Sequence, residues 1–387
     1  MEDYKNKVSI LGNTLCIMGL GIFFSVISTV LLPIFAQTVD IQERFSLPVG
    51  LEESSGILFF NNHFITHEDS GGEAKLYELD TLSGEIIRSV FIQNASNIDW
   101  EDLAQDENYI YIADIGNNAG NRTDLTIYRI SKMDYLLYDS VNAQPIVYAY
   151  ADQTDFSGQP NNTPWDAEAL ISLDSLWLMV FTKDWVDAKS KAYRISKLPG
   201  NYTVFPEESI LEAQGLITGA TFVESTQRVY LSGYTSTLIP FVWSCMPSSF
   251  PDMFSGVNTF YSIVSLGFEQ IESIDFMHEN TFFMTSESFS INPFSDYGKG
   301  IQLRFEQENS LLESLDNPVF VSPNPFTGYL TIDCQNLLYY TIRNAIGEVV
   351  IKNNQPKLDA HFLSNGMYTI QLFDVYGNMY LRKIIKE

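Results

Sequence analysis

One pattern recurs five times between about residues 40 and 306. An acidic segment opens into a short apolar run: "EESSGILF" at Glu52, "WEDLAQDE" at Trp100, "AEALISLD" at Ala167, "TGATFVES" at Thr218 and "ESIDFMHE" at Glu272. A second apolar run follows each, ending at His67, Asp114, Lys183, Gly233 and Ser286. Counted from Glu53, Glu101, Glu168, Thr218 and Glu272, those ends lie 14, 13, 15, 15 and 14 residues on. A third run carries Tyr77, Tyr128, Tyr193, Trp243 and Leu303 in equivalent places. Three or four short strands recurring about every 50 residues are the mark of a β-propeller. The expected fold class is therefore all-β: a five-bladed propeller, or a six-bladed one if the long second unit holds an extra blade. That unit contains "ADQTDFSGQPNNTPW", whose Gly, Pro and Asn read as a surface loop. The last unit is short of a strand, which "VDIQERFSL" near residue 40 would supply by closing the ring.

In a propeller the first strand of each unit lines a central axis, so residues far apart in sequence meet there. Glu53, Glu101, Glu168 and Glu272 would then face one another, with Thr218 breaking the acidic ring. Carboxylates so placed repel unless a cation neutralises them. Hard oxygen donors favour calcium or magnesium over zinc. Glu53, Glu101, Glu168, Glu272 and Asp114 are the candidate ligands, and calcium the expected cofactor. The alternative is that these acids end strands and pair with Lys183 and arginines at the channel mouth.

Charge narrows the partners. The net charge is −26, and nearly all of it lies between residues 37 and 316. Such a surface repels nucleic acid and anionic membranes. At the N-terminus Lys5 and Lys7 precede a long apolar run ending at Ala36, the form of an export signal over 1–36. The run is also long enough to remain as a membrane anchor. Cys16 would leave with the signal. Cys245 and Cys334 fall in different expected domains, which makes a bridge between them improbable.

Two stretches resemble known families. "DWEDLA…IYIADIGNN…IYRI" from Asp99 and "DAEALI…LWLMVFTKDW…KAYRISK" from Asp166 resemble bacterial propellers of the SdiA-regulated and phytase-like (esterase-like) kind. That resemblance covers 37–306 and implies a polar axial face, often with calcium. At the other end, "VSPNPFTGYLTI", "YTIRNAIGEVV", "LSNGMYTIQL" and "YLRKIIKE" resemble a type A sorting domain of the type IX secretion system over 317–387. On its residues alone this is a small β-sandwich. The resemblance implies the type IX secretion machinery as partner and a secreted or cell-surface location, with the outer membrane met only through sorting or anchoring. Residues 307–316 read as a polar linker.

No nucleophile elbow, phosphate-binding loop or zinc spacing is present. His67 in "THED" is the candidate general base. Trp100, Arg122 and Lys183 are candidate ligand-binding residues: an aromatic for a sugar ring, and cations for an anion. Whether the chain is an enzyme stays open. One reading is a propeller that binds a cation or a polar ligand, such as a glycan or protein. The other is a metal-dependent phosphoester or ester hydrolase.

Overall fold

A computed structural model describes residues 39–291, 294–305, 319–334, 337–344, 349–374 and 379–387. The expected signal over 1–36 and the linker over 307–316 lie outside the described residues. Among the described residues no helix is long and apolar enough to cross a membrane.

Five sheets of four or five strands lie between residues 39 and 305. Their first strands are Ser54–Phe60, Trp100–Gln105, Asp166–Ser172, Leu216–Val223 and Gln270–His278. Each first strand packs against the next, and the last packs against the first, so they form a closed ring about one axis. Each sheet then runs outward through antiparallel neighbours, as in the second: Trp100–Gln105, Tyr109–Asp114, Thr126–Ser131 and Gln144–Tyr150. The protein is an all-β propeller followed by a β-sandwich. The 151–165 stretch of the long unit holds no named strand.

The ring closes as its chemistry requires. Val39–Ser46 pairs antiparallel with Lys299–Phe305, so the start of the propeller chain completes the fifth sheet. Two short parallel additions tie neighbouring sheets: Ser140–Val141 beside Ile86–Ile92, and Gly200–Val204 beside Gln144–Tyr150. Apolar side chains fill the seams between sheets. Phe181, Phe241 and Trp243 lie between the third and fourth, and Tyr111, Tyr148 and Tyr193 between the second and third. Alternation explains this placement: every strand past the first shows one face to each neighbouring sheet, so both faces must be apolar.

At the axis the first strands share a departure from regular pairing. Each carries a β-bulge, and the extra residues are Glu101, Glu168, Thr218 and Glu272. In the first sheet the irregularity falls between Ser54 and Ile57. A bulge re-aims a side chain and leaves its residue outside the ladder. Here it turns one residue per sheet toward the channel mouth.

Polar side chains stitch the first strands to one another below that level. Ser55 Oγ donates to the Glu101 carbonyl at 2.6 Å, and Thr218 Oγ1 to the Ile271 carbonyl at 2.5 Å. Asp102, fully buried, accepts from the backbone N–H of Leu103, Leu170 and Ala220, which belong to three sheets.

The C-terminal part holds a three-stranded sheet (Phe320–Ser322, Tyr329–Asp333, Lys357–Asp359). Facing it are four strands: Val349–Asn353, Leu337–Arg343, Gly366–Asp374 and Met379–Lys386. Leu330, Ile332 and Leu358 from one layer pack with Tyr340, Ile342, Ile370 and Ile384 from the other. Neither Cys245 nor Cys334 is in a disulfide.

Candidate functional site

The bulges gather the acids. Two groups of three carboxylates share Glu101: Asp69, Asp99 and Glu101, and Glu101, Asp166 and Glu168. Within each group the oxygens lie no more than 4.8 Å apart. They come from the mouth ends of the first three sheets. An isolated bridge between Ser70 and Asp99 holds two of those loops together. Gly116 forms a wall of the pocket. A Cβ there would sit 2.0 Å from Glu101 Oε1 and 2.3 Å from Asp99 Oδ2, so backbone comes closer to these carboxylates than any side chain would allow.

The electrostatics follow from this crowding. Glu101 is only 3% exposed. Burial first, then Glu168, Asp69, Asp99 and Asp166, hold its carboxyl well above the ordinary range. Asp69 is pushed up to about 8 by burial and by Asp99 and Glu287, against the opposing pull of Lys183. Burial and the neighbouring acids put Glu68 at about 7 and Asp99 at about 6. Glu287 reaches about 7 through burial and Glu53, with Lys183 opposing. The buried Lys183 reaches both oxygens of Glu168 at 2.5 Å. Burial works against its charge, but Glu168, Tyr234, Glu272 and Asp166 hold its pKa above the ordinary value.

The expected residues fare unequally. Glu101 and Glu168 meet as the repeat implies, and Glu272 is a close electrostatic neighbour of Glu168. Glu53 does not occupy the bulge column. It is exposed, and its carbonyl accepts from Asp69 N at the rim. Ser55 stands opposite the strand end where the other units have their extra residue. Glu53 therefore corresponds to Asp99, Asp166 and Gln270, two positions before the column. The second-strand ends are shifted too. Glu68, Asp114, Thr182, Gly233 and Ser286 face the bulges, so His67 and Lys183 are each one place off in the expected alignment.

His67 is wholly buried, its Nδ1 beside the Glu68 carbonyl at 3.0 Å, its ring edge-on to Trp100. A Cβ on Gly56 would come within 2.6 Å of its Nε2. Burial lowers its pKa to about 4. Walled off in this way, it cannot meet a substrate as a base. Trp100 is likewise fully buried, its Nε1 donating to the Ser96 carbonyl, so it has no face for a sugar. Arg122 is engaged within its own loop. It pairs with Asp114 at 2.9 Å and Asp124 at 3.0 Å, and donates to the Gly116 carbonyl at 2.8 Å. Asp114 is held by that arginine and by Asp99 N, outside both three-carboxylate groups.

Asp69, Asp99 and Asp166 were not among the candidate ligands read from the sequence. A signal for two of them existed: Asp99-Trp100-Glu101 and Asp166-Ala167-Glu168 share an acid two residues before the bulge. Away from the mouth, across the second to fourth sheets, lies a groove of about 960 Å³ lined by Tyr109, Trp177 and Phe250. Its lysine, Lys197, is bound to Asp106 and Ser172.

Comparison with known proteins bears on the C-terminal part. Residues 321–387 match the family described as secretion system C-terminal sorting domain. The chain carries a type IX sorting domain. With that domain it is exported by type IX secretion to the cell surface or beyond, and the secretion machinery is a partner. No curated protein matches the chain. Solved structures similar to it include the extracellular domain of a one-component system from B. thetaiotaomicron. That match has 10% identity and a TM-score of 0.31, and covers 90% of this chain and 57% of the other. This chain thus spans little more than half the length of that one. A glucose dehydrogenase is 9% identical with a TM-score of 0.38, over 68% of this chain and 98% of the other. YCF48 bound to D1 peptide is 10% identical with a TM-score of 0.30, over 89% and 95%.

Proposed function

We propose that the mouth of the propeller binds a divalent cation, calcium ahead of magnesium, and through it a polar ligand met outside the cell. Glu101 carries this reading. It is a carboxylate buried to 3% exposure among other carboxylates, and no hydrogen bond reaches it among the described residues. A buried charge left so is costly unless a cation answers it. The donors are all carboxylate oxygens, which suits a hard ion. Asp69 and Asp99 are half-buried, so part of the coordination shell faces solvent. The sequence resemblance to phytase-like propellers points the same way.

Calorimetric titration of the EDTA-treated protein with calcium tests this. The parent is expected to bind, and Glu101→Gln to lose at least about 100-fold in affinity, one buried anionic ligand being worth several kcal/mol. A parent that binds neither calcium nor magnesium ends the reading. Gly116→Ala provides a gentler probe. Its Cβ collides with the mobile ends of Glu101 and Asp99, so the fold can yield while the pocket cannot. We expect about a tenfold or greater loss of affinity with the cation-free melting temperature little changed.

The half-exposed Asp69 and Asp99 also favour a second reading, a metal-dependent phosphoester or ester hydrolase, since an ion open to solvent can activate water. Assays on p-nitrophenyl phosphate and ester panels, with and without EDTA, decide it. Turnover that EDTA abolishes and Glu101→Gln lacks supports hydrolysis; no turnover, with calcium still bound, leaves a binding module.

A further inference from the structure

The two carboxylate groups that meet at Glu101 are chemically unlike. In the group with Asp166 and Glu168, both partners of Glu101 are already satisfied. Lys183 Nζ lies 2.5 Å from each oxygen of Glu168, over the rings of Trp185 at 4.9 Å and Tyr234 at 5.6 Å. Asp166 Oδ1 accepts from Asn117 N at 2.6 Å and Ala167 N at 3.0 Å, and its Oδ2 accepts from Trp185 Nε1 at 2.6 Å. In the group of Asp69, Asp99 and Glu101, no hydrogen bond reaches any of the three carboxylates among the described residues. Asp69 Oδ1 is buried with no partner.

We infer that Asp69, Asp99 and Glu101 form the cation seat, and that Lys183 is a tethered ammonium filling the second seat. This rests on the cation reading above and divides its pocket. Carboxylates without donors keep their lone pairs for a metal, whereas Glu168 gives both oxygens to an ammonium. A neighbouring fixed positive charge also repels a second divalent ion from the Glu101–Asp166–Glu168 side. Lys183 is thus a positioning residue: it sets how many ions the mouth accepts, and it does not bind the ligand. Without it, both oxygens of Glu168 are freed beside Glu101 and the remaining lone pair of Asp166 Oδ2, and a second seat opens.

The test counts ions on the full chain after EDTA treatment, by calcium calorimetry and terbium luminescence. The parent is expected to bind one ion per chain. Asp69→Asn should lose at least about 100-fold in affinity. Lys183→Met should bind two, and the double variant one. Two ions on the parent, or one on a folded Lys183→Met, overturns the assignment. Where Lys183→Met does not fold, Asp69→Asn decides alone, because it leaves the buried ion pair in place; unchanged affinity there overturns the assignment. A parent that binds no ion defeats the cation reading itself, and so is distinguishable from a miscount of seats.

Discussion

At pH 8 without divalent cations the protein is expected to melt well below its melting temperature at pH 5.5, and calcium should restore the difference. The sign follows from the mouth. Folding raises the carboxyls of Asp69 to about 8, Glu68 and Glu287 to about 7, and Asp99 to about 6, from ordinary values near 4. Between pH 4 and 8 the folded chain therefore holds more protons than the unfolded one, and stability falls as pH rises through that window. The carboxyls lowered on folding, among them Asp106 and Asp152 beside their lysines, lose their contribution only below about pH 4, the ordinary carboxyl range. The window belongs to the mouth together with Asp275, raised to about 6 with the same sign. It is opposed below about pH 6.5 by His67, whose lowered pKa makes the folded chain hold fewer protons there. Each pH unit over which one extra proton is held is worth about 1.4 kcal/mol, trimmed by solvent screening at half-buried Glu68 and Asp69. The expected drop is on the order of 5–10 °C. A calcium ion supplies the positive charge that protons supplied. Millimolar calcium should therefore raise the melting temperature strongly at pH 8 and weakly at pH 5.5. Scanning calorimetry at both pH values, with calcium and with EDTA, checks this. A cation-free protein more stable at pH 8 than at pH 5.5 would show that the acids are answered from within the chain.

The repeat was legible because propeller strands obey a period-2 apolar pattern that composition and spacing expose directly. "YIYIAD", "WLMVFTK" and "TFFMTSE" each became the second strand of its sheet. The closing role of "VDIQERFSL" was readable from a simple shortage: the last unit had one strand too few. The site was only half legible. Glu101, Glu168 and Glu272 stood out as repeated acids, but a bulge adds one residue to one strand and leaves no mark in composition. Alignment by strand ends therefore slipped by one at His67 and Lys183 and by two at Glu53. Depth was hidden as well. Trp100 and His67 look functional beside so many acids, yet both point into the seam between the first and second sheets, where Leu58, Ile65 and Tyr128 surround the indole. Pairing of arginines with the mouth acids was readable for Arg122, but which acids it takes depends on how the loop from Asp114 to Asp124 folds back on itself.

Replacing Phe45 by alanine is expected to cost about 3–5 kcal/mol, the largest loss from any single side chain in the closing strand. Val39 and Ile41 on that strand pack with the cluster between the fourth and fifth sheets. The strand then carries an irregularity, with Glu43 opposite Ile301 and Phe45 opposite Gly300, so Arg44 is extra. The extra residue reverses the alternation, and Phe45 enters the seam between the fifth and first sheets instead. There its ring lies 5.5 Å from that of Phe283 and 6.3 Å from that of Phe64, which stack on each other at 3.8 Å. Gly84 and Gly300 make the room: a Cβ at either would meet the Phe45 ring at 2.2 and 2.5 Å. One side chain thus joins the two ends of the propeller chain across both of its closing sheets. Alanine would leave a cavity walled by backbone at two glycines, which cannot swing a side chain into the gap. Urea denaturation of Phe45→Ala against Val49→Ala, an exposed control nearby, measures the effect, and the control should move by less than about 0.5 kcal/mol. A Phe45→Ala loss below about 1 kcal/mol would mean that backbone pairing alone closes the ring.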